Sequence, residues 1–97
     1  MTLEIYIEER ACIEMQRIGC VVIKMGRDGW PDRLVLYAPG RCLLMEFKQP
    51  GGKPNKLQQV RIKQLARARL EVHIVTSWQD AVALVSKARR RDDAEKK

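Results

Sequence analysis

The sequence has little of the side-chain chemistry on which many enzymes depend. Its one histidine, His73, lies in an apolar run typical of a β-strand, so histidine catalysis is a weak hypothesis. The three cysteines, Cys12, Cys20 and Cys42, include no Cys-x-x-Cys pair, which argues against a zinc site. Because each has apolar neighbours, we predict buried thiols rather than disulfides. The chain also lacks an apolar run near the roughly 20 residues that cross a bilayer, so we expect no membrane association.

The ends and length of the chain lead to simple expectations about its organisation. Residues 1–4 lack the basic start and apolar stretch of a secretory signal, so we expect a cytoplasmic protein. A chain of 97 residues is expected to form one domain with one core. We assign residues 1–89 to this domain and expect the charged residues 90–97 to be a disordered tail.

Acidic residues are absent from one long segment in which basic residues are frequent. The formal net charge is +7, and seven basic residues lie between positions 48 and 69: Lys48, Lys53, Lys56, Arg61, Lys63, Arg67 and Arg69. This block favours binding to nucleic acid, although a solvated helix face that keeps the protein soluble would carry the same charge. Aromatic residues make up only 5% of the chain, which disfavours single-strand binding by a series of stacked bases.

Hydrophobic periodicity and turn residues predict seven secondary-structure elements in the order αβββαβα. We predict helices over residues 2–18, 55–70 and 78–89, with Thr2, Asn55 and Ser77 as N-caps. We predict strands over residues 20–25, 33–37, 41–48 and 71–76. The short turn between the second and third strands predicts an antiparallel hairpin, and the helix before the fourth strand favours parallel pairing. The fold class is therefore α/β, with a mixed β-sheet flanked by helices.

The third predicted strand carries a charged residue on an apolar face. Strand alternation places Glu46 and Lys48 on the same face as Cys42 and Leu44. A carboxylate there is costly unless a cation neutralises it, and an ion pair with Lys48 would be enough. Asp32, however, opens the second strand, and the hairpin brings it beside Glu46. Two adjacent carboxylates repel each other unless a hard cation lies between them, which indicates Mg²⁺ or Mn²⁺.

These residues carry a family resemblance. Pro31-Asp32 followed by Glu46-Phe47-Lys48 resembles the motif of the PD-(D/E)XK nuclease superfamily, whose core is restriction-endonuclease-like. Within it, the chain resembles the VRR-NUC domain, the virus-type replication-repair nuclease, in its short stand-alone phage form. The resemblance runs from about Ile5 to Ala83 and includes the Gly-rich loop before Asp32, the segment 48–54, and Leu57-Gln58. It implies that residues 1–89 are a VRR-NUC nuclease domain from a phage-infected or bacterial host cell.

The resemblance also implies the roles of the site residues. Asp32, Glu46 and the backbone carbonyl of Phe47 are expected to bind the metal, and Lys48 to act on the nucleophile and phosphate. A first-helix glutamate is expected to hold the metal through water. Among Glu4, Glu8, Glu9 and Glu14 we choose Glu8, which borders the predicted buried face, as does Glu4 nearer the helix end. The family glutamine is predicted at Gln58, which shares a helical stripe with Ile62 and Leu65 and is expected to position Lys48 or the substrate.

The predicted function is that of a metal-dependent DNA endonuclease. The resemblance implies branched DNA such as Holliday junctions as substrate, a role in DNA repair, and a homodimer with no other required protein partner. We predict DNA contacts at Lys53, Lys56, Arg61, Lys63 and Trp30, although Trp30 could instead pack under its loop. Two alternatives are a non-catalytic DNA-binding module of the same fold, and a structural partner in a larger complex.

Overall fold

The computed structural model describes residues 2–95, which form three helices and four strands in the predicted order. The helices are α1 (Leu3–Arg17), α2 (Lys56–Arg67) and α3 (Trp78–Glu95). The strands are β1 (Val21–Lys24), β2 (Arg33–Tyr37), β3 (Arg41–Phe47) and β4 (Val72–Val75). None of the helices in this part of the chain is both long and apolar enough to cross a bilayer.

The four strands form one mixed sheet in the order β1-β2-β3-β4. The β2–β3 hairpin is antiparallel, with Arg33 opposite Met45, as the short turn predicts. Strand β4 pairs with β3 in parallel, with Ile74 opposite Glu46, so the predicted helical crossover is confirmed. Asp32 and Glu46 therefore come to the same end of two neighbouring strands.

The hydrophobic core lies between one face of the sheet and helices α1 and α3. Strand alternation sends Met45 and Phe47 into this core, and both are fully buried. Glu46, between them in sequence, points to the opposite face, toward α2. No residue of α2 is buried, so this helix, unlike α1 and α3, contributes no side chain to the core.

The helix starts follow their capping residues. The Thr2 hydroxyl accepts a hydrogen bond from the Ile5 N–H at 3.2 Å, which satisfies a free donor of the first turn of α1. Asn55 and Gln58 form a reciprocal capping box at the start of α2, with both hydrogen bonds 2.8 Å long. The two caps predicted from sequence at these positions are therefore confirmed.

The last helix is longer than the sequence predicts. It continues to Glu95 rather than ending near Arg89, so the expected disordered tail is wrong for residues 90–95. The Asp92 carboxylate anchors the final turns by accepting a hydrogen bond from the Tyr37 hydroxyl at 3.2 Å. Residues 96–97 of the expected tail lie outside the described residues.

One of the three cysteines differs from its prediction. Cys12 and Cys20 are buried, whereas Cys42 is exposed. Cys42 lies on the sheet face opposite the core, and β4 begins only at Val72, opposite Leu44. On that face α2 contacts the sheet at Glu46, whereas Cys42 lies near the opposite end of β3.

Candidate active site

The structure brings the Asp32 and Glu46 carboxyl groups into hydrogen-bond contact. Asp32 Oδ2 accepts the backbone N–H of Phe47 at 2.8 Å, which fixes the start of β2 against the end of β3. Glu46 has 2% of its surface exposed, in contrast to the half-buried Asp32. The carboxyl pair predicted from the hairpin is thus formed at one end of the sheet.

Burial raises the pKa of the Glu46 carboxyl to about 9, and the hydrogen bond and negative charge of Asp32 add to this rise. The nearby Lys48 ammonium acts in the opposite direction, but it does not overcome burial. Glu46 therefore keeps its proton at neutral pH when no cation is present. When two carboxyl groups share one site, one of them commonly keeps its proton in this way.

Gln58 holds the Glu46 carboxyl from the side of α2. Its Nε2 donates to Glu46 Oε2 at 3.1 Å, while its Oε1 accepts the Asn55 N–H in the capping box. Both ends of the Gln58 amide are therefore occupied, and the helix cap itself determines where the amide points. Gln58 thus reaches Glu46 rather than Lys48.

Lys48 directly follows β3, and its backbone N–H donates to the Val75 carbonyl at 2.9 Å, which continues the parallel ladder. Its side chain is partly exposed, and its charge lowers the pKa of Glu46, so the ammonium group lies near the carboxyl pair. Within residues 2–95 this ammonium forms no salt bridge. It is therefore available to an incoming anion.

Two acids of α1, Glu8 and Glu4, have different surroundings near the site. Glu8 accepts a hydrogen bond from Arg33 Nε at 2.7 Å, and this ion pair is largely shielded from solvent. Glu4, one turn earlier, is the first-helix acid whose charge raises the Glu46 pKa. The predicted residue Glu8 thus has its carboxylate paired with Arg33, while Glu4 is close enough for its charge to act on Glu46.

The ligands available for a metal ion suit a hard cation. The part of the chain from residue 2 to residue 95 contains no cluster of three or more His, Cys, Asp and Glu side chains that could hold a metal. Asp32 and Glu46 form a pair, to which the Phe47 carbonyl would add a third oxygen. Mg²⁺ is usually bound by one or two carboxylates and keeps several waters, so this donor set fits it. A cation would also relieve the repulsion between the two carboxylates once both are ionised.

The predicted DNA contacts fall into two groups. Lys53, Lys56 and Lys63 are exposed, as a phosphate-binding role requires. Arg61 and Trp30 instead contact each other, with the guanidinium carbon 4.6 Å from the centre of the indole ring. Trp30 is therefore packed against Arg61 of α2, whereas the alternative to base stacking predicted from sequence was packing under its own loop.

The loop before Asp32 is pressed against α2 at Gly29. A Cβ atom at this position would lie 2.4 Å from Leu57 Cγ, and the backbone φ is +77°. Only glycine allows both this close approach and this conformation without strain. The glycine thus permits the loop to pack directly on the helix that carries Gln58.

We expect Gly29→Ala to destabilise the protein more than Gly26→Ala does. Both positions have positive φ, but a Cβ at Gly26 would meet nothing within 4 Å. Gly26→Ala should therefore cost about 1 kcal/mol from its backbone alone. Gly29→Ala should cost about 1–3 kcal/mol more, because Leu57 must move. Urea unfolding measures both values, and equal losses would contradict the close packing of this loop.

Two contacts of the site were not predicted from sequence. The sequence pattern identifies Arg33 only as a strand residue, but alternation after Asp32 turns it toward α1, where its Nε donates to Glu8. The packing of Trp30 on Arg61 joins residues that are distant in the chain, and no local pattern links them. The positive charge of Arg61 indicates DNA binding. Charge alone does not reveal that the side chain stacks on Trp30.

Comparisons with known proteins agree with this geometry. No family profile matches the chain. "Putative nuclease p44" of Acyrthosiphon pisum secondary endosymbiont phage 1 is 40% identical over 55 residues, which cover 54% of this chain and 59% of that protein. A solved structure described as a VRR_NUC domain has a TM-score of 0.77 at 26% identity, over 89% of this chain and 97% of the other. The resemblance predicted from the motif and the αβββαβα fold class are both confirmed, and the chain has the fold of a VRR-NUC domain.

Proposed function

We propose that the protein is an Mg²⁺- or Mn²⁺-dependent endonuclease that hydrolyses DNA phosphodiester bonds. The observation that carries this proposal is the contact between the Asp32 and Glu46 carboxyl groups, with the Lys48 ammonium beside them. Burying two acids together is costly in the absence of a cation, so the arrangement is difficult to explain by stability. The similarity to a phage protein named as a nuclease supports the same activity.

Each residue of the site has a role that follows from its position. Asp32, Glu46 and the Phe47 carbonyl would hold the ion, which when bound supplies a Lewis acid that polarises phosphate and lowers the pKa of water. Gln58 keeps the Glu46 carboxylate oriented through its hydrogen bond. Lys48 orients the attacking water and offsets the negative charge that grows on the phosphate.

A first-helix acid completes this proposed site. Glu8, oriented by Arg33, would accept hydrogen bonds from water held near the carboxyl pair. Glu4 is the competing residue for this role, because its charge acts on Glu46. The two acids are one helical turn apart on the same stripe, so single substitutions to glutamine will separate their contributions.

The exposed lysines form the proposed DNA cradle. Lys53 lies in the loop after β3, and Lys56 and Lys63 lie on α2, whose first turn contains Gln58. DNA strands that leave the carboxyl pair would therefore pass cationic side chains. Such phosphate contacts supply affinity and position the backbone with little sequence preference.

The proposed substrate is branched DNA such as a Holliday junction, and the proposed assembly is a homodimer. The described residues 2–95 hold the Asp32–Glu46 pair as their candidate site, so two cuts in one junction would require two copies. Strand β1 is an outer strand of the sheet, and its exposed apolar residues Val21 and Ile23 offer one surface on which a second copy can pack. We base both the branched-DNA substrate and the homodimer on the similarity to the VRR-NUC domain.

The proposal predicts nicking of DNA only when Mg²⁺ or Mn²⁺ is added. The assay compares single-stranded, duplex, flap and four-way-junction DNA, each with Mn²⁺, Mg²⁺ or EDTA, and we expect the junction to be cut fastest. Asp32→Asn keeps an acceptor for the Phe47 N–H but lacks the ligand charge, so it should bind junction DNA without cutting it. Binding without cleavage by the wild-type protein would instead indicate a non-catalytic module.

A further inference from the structure

Trp30 and Arg61 join the loop that leads into Asp32 to the helix that carries Gln58. The guanidinium of Arg61 lies over the indole ring at 4.6 Å, within the range of a cation–π interaction. The same Arg61 side chain would be 3.2 Å from a Cβ at Gly29, so the loop backbone also rests on it. These contacts lie one helical turn after Gln58 on α2.

Arg61 is poorly placed to bind a phosphate. Its Nε atom is buried and has no hydrogen-bond partner among the described residues, and its Nη1 donates to Gln64 Oε1 at 3.0 Å. An arginine that binds a phosphate in a fork presents adjacent N–H groups to solvent. Here Nε is buried and Nη1 is bonded to Gln64, so the side chain is used inside the protein.

The attachment of α2 depends on few contacts. The helix has no buried residue, and its recorded hydrogen bond to the sheet is that of Gln58 with Glu46. The loop backbone at Gly29 also packs on Leu57 of α2. The Trp30–Arg61 pair adds a side-chain contact between α2 and the loop, and this contact limits the movement of Gln58 relative to Asp32.

We propose that Trp30 and Arg61 are positioning residues for cleavage, rather than DNA contacts. Their stacked pair fixes α2 against the 29–31 loop and so sets Asp32 and the Gln58–Glu46 pair at a constant separation. This inference rests on the proposed nuclease function. Positioning matters because displacements of about 1 Å in an active site can reduce the rate by about 10²-fold.

The test measures kcat and KM for junction cleavage by Trp30→Ala, Arg61→Ala and the double variant. We expect each single substitution to lower kcat by about 10–100-fold with KM within about 2-fold of wild type. The double variant should be no worse than about 3-fold below either single variant, because both remove the same pair. Trp30→Phe keeps an aromatic face for the guanidinium and should restore kcat to within about 3-fold of wild type.

Val60→Ala is the matched control, since Val60 is exposed on α2 beside Arg61 and should leave both constants unchanged. Circular dichroism establishes that each variant is folded at the assay temperature, and Arg61→Met, which keeps the aliphatic stem and removes the cation, replaces Arg61→Ala if the latter unfolds. A rise in KM with normal kcat for Arg61→Ala would make Arg61 a DNA contact and overturn the inference. Full loss of kcat in Trp30→Phe would also overturn the inference, because this variant keeps an aromatic face for the guanidinium.

A second readout is independent of cleavage. In urea unfolding without metal or DNA, the effects of Trp30→Ala and Arg61→Ala should be non-additive, because the residues are in contact. Additive effects would overturn the inference even if the protein is a nuclease. A wild-type protein that cuts none of the DNAs would refute the proposed function, while the unfolding cycle would still report whether the pair is coupled.

Discussion

Replacing Lys48 by alanine is expected to reduce kcat for DNA cleavage by about 10²–10³-fold, with a much smaller effect on DNA binding. The Lys48 ammonium lies near the Glu46 carboxyl and forms no salt bridge within residues 2–95. Its removal therefore deletes charge stabilisation of the reacting phosphate without breaking an internal contact. Single-turnover cleavage of a labelled junction measures the rate, and a gel-shift assay in EDTA measures binding.

The control for Lys48→Ala is Lys87→Ala, which removes the same charge from an exposed position on α3. We expect this control to cut at the wild-type rate at equal ionic strength. If Lys48→Ala also cuts at the wild-type rate, Lys48 takes no part in the reaction. If it loses binding and cleavage in the same proportion, its role is to attract DNA.

Replacing Glu46 by glutamine is expected to remove cleavage and to stabilise the metal-free protein. A buried glutamine needs no proton: its NH₂ can donate to Asp32, and its oxygen can accept from Gln58 as Glu46 Oε2 does. We expect a gain of at least about 1 kcal/mol at pH 8 in EDTA, or about 4–8 °C in Tm. Thermal unfolding measures this gain, and Glu9→Gln serves as an exposed control on α1.

The sign of the pH dependence follows from the raised pKa of Glu46. In the unfolded chain this carboxyl ionises near pH 4.5, whereas in the folded protein its pKa is about 9. Between these values the folded state holds one more proton, so stability should fall with rising pH by up to about 1.4 kcal/mol per unit. The advantage of Glu46→Gln should therefore widen from pH 5 to pH 8. A constant difference in Tm would contradict the raised pKa.

Much of the fold could be predicted because its signals are local. The β2 strand has the predicted bounds, and the caps of α1 and α2 lie at the polar residues that precede apolar helical patterns. The parallel pairing of β4 follows from the helix before it. The end of α3 could not be predicted, because a tertiary contact of Asp92 with Tyr37 keeps helical a segment whose composition is typical of a disordered tail.

The carboxyl pair could also be predicted, since hairpin geometry alone brings Asp32 beside Glu46. The pairing of the charged side chains around Asp32 and Glu46 could not be predicted in the same way. Glu8 and Glu4 share a helical stripe, and only the tertiary position of Arg33 shows which of them is neutralised. Likewise, Arg61 belongs to the basic block by sequence, but its contact with Trp30 depends on how the 29–31 loop packs.

The hydrogen bond between Tyr37 and Asp92 connects positions 55 residues apart in sequence. Contacts between such distant segments require most of the chain to be ordered before they form, so they are slow to appear during folding. The cooperative unit thus extends into the final helical turns, which are part of the tertiary structure and not an appendage. A shortened version of this protein that stops after Arg89 would leave the Tyr37 hydroxyl without its acceptor and the hairpin end without its anchor.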